Sequence, residues 1–389
     1  MIERDSGRTL KRLARGFPIL AITGPRQSGK TTLAKAVFPQ KPYLSLEDPD
    51  MRMLAEDDPR GLLSRFPDGV VLDEAQRAPK LFSYLQTIVD KDMLPGKFVL
   101  TGSQQFGLLS GISQSLAGRV GLVQLLPFSM SELKTAKRLC DNLSDLLFCG
   151  QYPPLYDRDL LPADWFAGYM ATYIERDLRQ LINVKDLSVF QRFVKMCAAR
   201  TGQLLNLSSL ATDCGITHNT ASSWISVLEA SYIVFLLKPH YRNFNKRLVK
   251  TPKLYFCDTG FAAWLLGIRD PEQLSFHAQR GALFETLIIT EFLKAHLNQG
   301  MQPNLYFWRD SKGLEIDLVL EDGDLLKPVE IKSGQTFVPE FLANLEKWSE
   351  LSGKSDLPAL LVYGGEQEMV KGKIKILPWR KLSAKRESS

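Results

Sequence analysis

Short apolar runs alternate with helical periodicity through the first third of the chain. Pro18 to Thr23 (PILAIT) is unbroken apolar sequence, Thr31 to Phe38 (TTLAKAVF) repeats apolar residues at helical spacing, and Tyr43 to Leu46 is a second short strand. Two further runs, Gly69 to Gln76 (GVVLDEAQ) and Lys97 to Gln104 (KFVLTGSQ), end in polar side chains and flank a helical stretch from Ala78 to Asp90. Val120 to Phe128 reads as one more strand, before a helix that starts at Ser129. Strands covered on both faces carry apolar residues at every position, and the intervening helices supply the cover. The pattern therefore predicts an α/β unit around a buried parallel sheet. Residues 1–17 are basic, contain acidic residues and lack the apolar core of a signal peptide, so they read as an amphipathic helix packed beside this unit.

The rhythm then changes twice. From Leu133 to Arg200 apolar positions recur at helical spacing, interrupted by the proline-rich Gln151 to Pro162, which predicts a helical bundle. Between Leu207 and His240 come a helix (LSSLATDC), a turn at Gly215 and Ile216, a second helix (HNTASSWISVLEA) and a strand (YIVFLLKP), the order of a winged helix-turn-helix. A helix from Arg280 to His296 precedes strands LYFWRD, LEIDLVLE and LLKPVEIKS, the last two joined by a turn at Asp322, Gly323 and Asp324. The expected organisation is an α/β domain over residues 1–130, a helical and winged-helix region over 131–255, and a mixed α/β domain over 256–389. The tail Lys381 to Ser389 is polar and expected to fray.

Composition narrows the class without naming the chemistry. With 44% hydrophobic and 24% charged residues among 389, the chain fits neither a disordered nor a fibrous protein. A net charge of +6 permits a nucleic-acid partner and does not require one. Five cysteines form no C-x-x-C pair, so neither a zinc knuckle nor a disulfide framework is indicated, and a reducing cytoplasm fits. The four histidines are scattered and suggest no metal site. The longest strongly apolar run, Tyr232 to Leu237, is far below the roughly 20 residues of a membrane-spanning helix.

Gly24, Pro25, Arg26, Gln27, Ser28, Gly29, Lys30 and Thr31 satisfy G-x-x-x-x-G-K-T, with a strand before and a helix, continuing at Thr32, after. That context puts backbone N–H groups and a helix N-terminus around an anionic phosphate, so the expected ligand is ATP with Mg²⁺. Lys30 is expected to reach the β and γ phosphates, and the Thr31 hydroxyl the metal. Val70 to Glu74 delivers two carboxylates at a strand's carboxyl end, where such sheets bind ligands. Asp73 is expected to hold Mg²⁺ through water and Glu74 to orient or deprotonate the attacking water. Thr101, Gly102 and Ser103 end the next strand in small polar side chains, and Ser103 is placed to sense the γ-phosphate.

The set GPRQSGKTTL, GVVLDEAQ, LTGSQ and SLAGRVGLVQLLPFSMSEL, followed by LYFCDTG, RGALFETLI, GLEIDLVLE and VEIKSG, resembles a prokaryotic AAA+ ATPase family. Its members join an AAA+ domain to a C-terminal domain that looks like the restriction-endonuclease fold. The resemblance covers nearly the whole chain. It implies that Ser103 is sensor 1 and that Arg119 is an arginine finger reaching the γ-phosphate of a neighbouring subunit, hence a ring or at least a dimer.

Two downstream constellations bear on DNA. The second helix of the helix-turn-helix presents His218, Asn219, Thr220, Ser222, Ser223 and Trp224 as candidates to face a groove. Lys238, Arg242, Lys246, Arg247, Lys250 and Lys253 follow near the expected wing, able to neutralise phosphates. Asp317 on one strand, with Glu330 and Lys332 two apart on the next, resembles the PD-(D/E)xK nucleases, in which the acids bind Mg²⁺ and the lysine steadies a water. Glu285 on the preceding helix matches the extra acid of such folds, and Glu315 shares a face with Asp317. The expected function is ATP hydrolysis by an oligomer that binds and remodels or translocates on DNA, with nuclease-like DNA binding or cleavage. The alternative is an ATP-gated switch or scaffold for protein partners.

Overall fold

The computed structural model describes all residues except 104–107, 109–111, 113–114, 159, 174–185, 242–247, 353–358 and 383–389. An amino-terminal helix α1 (Ser6–Leu13) precedes strand β1 (Ile19–Thr23) and helix α2 (Lys30–Val37). Strands β2 (Tyr43–Ser45), β3 (Val71–Asp73), β4 (Phe98–Gly102) and β5 (Val120–Gln124) complete a five-stranded sheet in the order β2-β3-β4-β1-β5. Every pairing in it is parallel.

Alternate residues of β1 explain why no polar position interrupts it. Leu20 and Ile22 pack with Leu10 of α1 and Leu33 of α2 on one face. Ile19 and Ala21 pack on the other face with Leu81, Phe82, Leu85 and Val89 of the helix Leu81–Lys91. Each fully buried side chain of this size contributes about 1.5–3 kcal/mol, so both covers are needed. The expected helix at the start of the chain is thus present and lies against the sheet.

Strand β5 is shorter than the sequence suggests. Past Gln124 the backbone keeps one bond to β1, Leu125 N–H to Thr23 O at 2.7 Å, and then leaves through Pro127. Proline carries no N–H to extend a ladder. The chain turns instead into the helix Met130–Thr135, whose start is fixed by a capping box between Ser129 and Glu132.

The remaining chain is organised around a second sheet. Strands β6 (Gln203–Leu204), β7 (Val234–Pro239), β8 (Lys253–Phe256), β9 (Leu305–Arg309), β10 (Glu315–Asp322), β11 (Leu325–Lys332), β12 (Ala359–Tyr363), β13 (Met369–Lys371) and β14 (Ile374–Pro378) form nine strands in the order β13-β14-β12-β11-β10-β9-β7-β8-β6. Helix His218–Ala230 packs on β7, Leu207–Cys214 packs on that helix, and Leu187–Ala198 packs on Leu207–Cys214. Gly215 ends the second of these helices in the left-handed conformation that glycine adopts without cost. The β7–β8 hairpin is no free wing, because β7 pairs in parallel with β9 through Lys238 with Tyr306 and Pro239 with Phe307. The boundary expected near residue 255 falls inside β8, and one continuous apolar core runs from Leu126 to Trp379. The long helix Arg280–Asn298 crosses this core. Among the described residues no helix is long and apolar enough to cross a membrane.

Candidate functional site

The carboxyl ends of β1, β3 and β4 lie side by side, since Thr23 pairs with Gly102 and Val71 with Val99. The loop Gly24 to Gly29 leaves β1 there. Gly24 has φ +148°, and a Cβ on it would sit 2.1 Å from Leu125 O, so no other residue fits. Gly29, at φ +90°, forms the N-cap of α2 and lets the loop swing directly into the helix. The first N–H groups of any helix lack intrahelical partners, so this end of α2 suits an anion.

Lys30 is buried, and its ammonium donates to the loop carbonyls of Gly24 (3.1 Å) and Pro25 (2.8 Å). Burial lowers its pKa to about 8, against the opposing pull of Glu74 and Asp73. Asp73, at the end of β3, collects three hydroxyls. Thr31 Oγ1 donates to it at 2.9 Å and Tyr43 at 2.6 Å, and the Thr101 hydroxyl bonds it as well. The Tyr43 hydroxyl is held protonated, its pKa pushed up by desolvation and then by the bond to Asp73. Tyr43 escaped sequence reading because a tyrosine opening a short strand reads as core, and only the pairing of β2 with β3 brings it beside Asp73.

Glu74 follows in a left-handed conformation, φ +53°, which turns its carboxylate toward β4. There Glu74 Oε2 accepts from Ser103 Oγ at 2.9 Å and Gln76 Nε2 at 2.5 Å. Ser103 at the end of β4 is therefore tied to Glu74. Lys30, Thr31, Asp73, Glu74 and Ser103, drawn from three segments, are thus brought together, with hydroxyl and carboxylate oxygens suited to a hard divalent cation. Pro25, Arg26, Gln27, Ser28 and Gly29 line the loop, and Thr32 is exposed on α2.

Arg119 sits elsewhere. It precedes β5, whose first residue Val120 pairs with Ile19, so it lies at the opposite edge of the sheet from the loop. Within the chain it forms a two-bond pair with Asp90, at 2.5 and 3.0 Å.

In the second sheet Asp317, Glu330 and Lys332 converge. A bulge between Ile316 and Val319 in the β9–β10 pairing re-aims Asp317, which accepts from Ile331 N–H at 2.8 Å. Lys332 Nζ lies 2.6 Å from Glu330 and 3.7 Å from Asp317. Lys253, buried, lies 3.0 Å from Glu285 and pairs also with Glu315, which in turn holds Arg309 at 3.0 Å. Among the described residues no three His, Cys, Asp or Glu side chains are grouped to hold a metal ion. Of the expected second site at Glu285, Asp317, Glu330 and Lys332, the last three lie together, while Glu285 pairs with Lys253. Burial, then Asp317, raises Glu330 to about 8, and burial raises Glu285 to about 7 despite Lys253.

Two expected DNA contacts are corrected as well. Trp224 is buried and meets Phe190 and Phe193 edge-on, each with ring centroids 5.1 Å away, because it lies on the inner face of its helix. Lys253 is withdrawn into the acidic group just described. His218, Asn219 and Ser223 are exposed, as are Lys238 and Lys250, while Arg242, Lys246 and Arg247 lie outside the described residues.

Residues 16–134 match the AAA domain, 140–272 a domain of unknown function (DUF8612), and 280–382 another (DUF4143). The Walker-type ATPase of Pyrococcus abyssi aligns at 16% identity and a TM-score of 0.42, over 68% of this chain and 96% of that one. A RuvB variant of Thermotoga maritima aligns at 16% identity and 0.31, over 59% and 88%. Two curated relatives, the uncharacterized proteins Rv2008c of Mycobacterium tuberculosis and Mb2031c of Mycobacterium bovis, are each 34% identical over 327 residues, 82% of this chain and 71% of theirs. The chain belongs to the family of these mycobacterial proteins, and its amino-terminal third is an AAA-type P-loop ATPase domain.

Proposed function

We propose that the protein hydrolyses ATP at the carboxyl edge of its first sheet and uses the cycle to act on DNA as an oligomer. The observation that carries the first half is the Thr31–Asp73 hydrogen bond beside a Glu74 carboxylate held by Ser103. Loop amides and the α2 N-terminus bind the phosphates, and the Lys30 ammonium exchanges its two carbonyls for phosphate oxygens. Thr31 and Asp73 would hold Mg²⁺, whose charge would offset that of the phosphates. Glu74 orients the attacking water and accepts its proton, with Ser103 and Gln76 fixing its carboxylate.

Oligomerisation follows from Arg119, which faces away from its own loop and in this reading serves a neighbour's nucleotide. The DNA reading draws support from the helix order before β7, from exposed polar residues at the start of His218–Ala230, and from the net charge of +6. Asp317, Glu330 and Lys332, close together on neighbouring strands, support a nuclease-like unit that binds or cleaves DNA. Five free cysteines suit a reducing cytoplasm.

The ATP-gated switch is the second reading, and the shared core beyond Leu126 favours it, since it ties the helical region to the last domain. ATPase assays on wild type and Glu74→Gln, with and without duplex DNA, separate these ideas. Glu74→Gln should retain labelled ATP and lose turnover by about 10²–10⁴-fold. Normal hydrolysis by that variant defeats the assignment of the base, and turnover indifferent to DNA defeats the motor in favour of the switch.

A further inference from the structure

One buried charge outside the residues used above touches the phosphate loop from behind. Arg4 is 8% exposed and lies just before α1. Its Nη1 donates to Ser28 O at 2.7 Å, its Nη2 to Leu126 O at 2.6 Å, and its Nε to Glu132 Oε1 at 3.0 Å. The guanidinium also stacks over Phe128, 4.8 Å from the ring centroid. Glu132 is itself fixed, since Oε1 takes Asp5 N–H at 2.8 Å and Oε2 takes Ser129 N–H at 2.8 Å.

The bond to Ser28 O has a consequence across the peptide plane. In a trans peptide the carbonyl and the following N–H point in opposite directions, so a carbonyl held toward Arg4 holds the Gly29 N–H away from it. In the proposed reading the phosphate lies on the side away from Arg4, where Lys30 and Thr31 open α2. Glycine flips this peptide easily, and φ of +90° at Gly29 is one of several conformations it can adopt. The ion pair with Glu132 neutralises Arg4, so its influence runs through backbone orientation and not through its field.

We propose that Arg4 is a positioning residue for ATP, presetting the Ser28–Gly29 peptide so that its N–H meets phosphate. This rests on the reading that the loop binds ATP. Three acceptors in different directions need the planar fork, and a lysine ammonium reaches them poorly.

Wild type, Arg4→Met and Arg4→Lys are to be compared for ATP binding by fluorescence titration, for kcat and KM, and for melting temperature. Arg4→Met should weaken ATP binding about tenfold, the worth of one charged hydrogen bond, with KM rising more than kcat falls. Arg4→Lys should recover part of that loss. Thr9→Val, which removes the 2.8 Å bond from α1 to Asn298 O without touching the loop, should bind ATP as wild type does. If Arg4 were merely structural, the melting temperature would fall while ATP affinity stayed unchanged, and that result overturns the proposal. Should Arg4→Met not fold, Arg4→Lys carries the test, and wild-type affinity in it is equally fatal. A wild-type chain that takes up no ATP overturns the underlying reading and this one with it.

Discussion

Lys253→Met measures what a buried acid costs when its cation is removed. Lys253 lies among Glu285, Glu315 and Asp317, whose pull overcomes desolvation and raises its pKa. Methionine fills similar space without charge. After the change Glu315 still has Arg309, whereas Glu285 retains the Tyr255 hydroxyl at 2.5 Å and no longer its ammonium. Removing one partner of a buried ion pair costs about 3–5 kcal/mol when the remaining charge stays ionised. Glu285 has an escape, because a protonated carboxyl has no charge to bury.

That escape fixes the sign of the pH dependence. Burial raises the folded pKa of Glu285 from 4.5 to about 7, with Asp317 adding to the rise and Lys253 opposing it. A raised pKa contributes stability that is full below the unfolded value and disappears as pH climbs through the folded one. Without Lys253 the folded value moves further up, so the variant keeps Glu285 neutral at pH 6 and pays the ionic penalty only in alkali. Urea unfolding followed by tryptophan fluorescence, with Trp308 buried in the same sheet, should show a loss of about 1 kcal/mol at pH 6 and about 3–5 kcal/mol at pH 9. Adding Glu285→Gln should restore much of the alkaline loss. Equal losses at both pH values, or purely additive effects of the two changes, would refute the assignment of Glu285 as the stranded charge.

Three further outcomes follow from the first sheet. Tyr43→Phe removes the 2.6 Å bond to Asp73 and should shift the Mg²⁺ concentration for half-maximal turnover while costing about 1 kcal/mol of stability; an unchanged metal dependence would show that Tyr43 does not position Asp73. Because the Lys30 ammonium has its pKa lowered to about 8, ATP affinity should be full below that pH and fall above it, as read by nucleotide titration from pH 7 to 9.5. A flat profile would mean that Lys30 stays charged or does not meet phosphate. Arg119→Ala should leave ATP binding intact and cut turnover by about 10³-fold if it serves a neighbour, and a fully active variant would leave the residue to its pairing with Asp90.

What could be read in the sequence is what lies close together in it. The loop from Gly24 to Thr31 carries its own context of strand, glycines and helix, and Asp73 with Glu74 ends a run too apolar to be anything but a buried strand. The residues that hold those groups come from far along the chain. Tyr43 reaches Asp73 only after β2 pairs with β3, and Arg4 reaches Ser28 only after α1 folds back on the sheet. Trp224 was misplaced for a different reason. Its helix is polar at Ser222 and Ser223 and apolar at Trp224 and Ile225, so the inner face is settled by Phe190 and Phe193 of a separate helix. Asp317, Glu330 and Lys332 were legible as a group because strand alternation sets their faces, but Lys253 was not, since its place beside Glu285 depends on β7 and β8 joining the last domain's sheet.

That joining also places one helix in contact with both sheets. The carboxyl end of the long helix receives α1 through Thr9 to Asn298 O at 2.8 Å and Arg12 to Gln299 O at 3.0 Å. One turn earlier, Lys294 donates to Phe128 O at 2.9 Å and Glu291 accepts from Met130 N–H at 2.7 Å, both in the segment that leaves β5. Near its amino end the same helix carries Glu285, paired with Lys253. Nineteen residues at about 1.5 Å each make a rod of about 28 Å, stiff because its hydrogen bonds are internal and most of its side chains are packed. The long helix thus bonds to α1 and to the segment leaving β5 toward one end and to Lys253 toward the other, on both sides of the boundaries expected near residues 130 and 255.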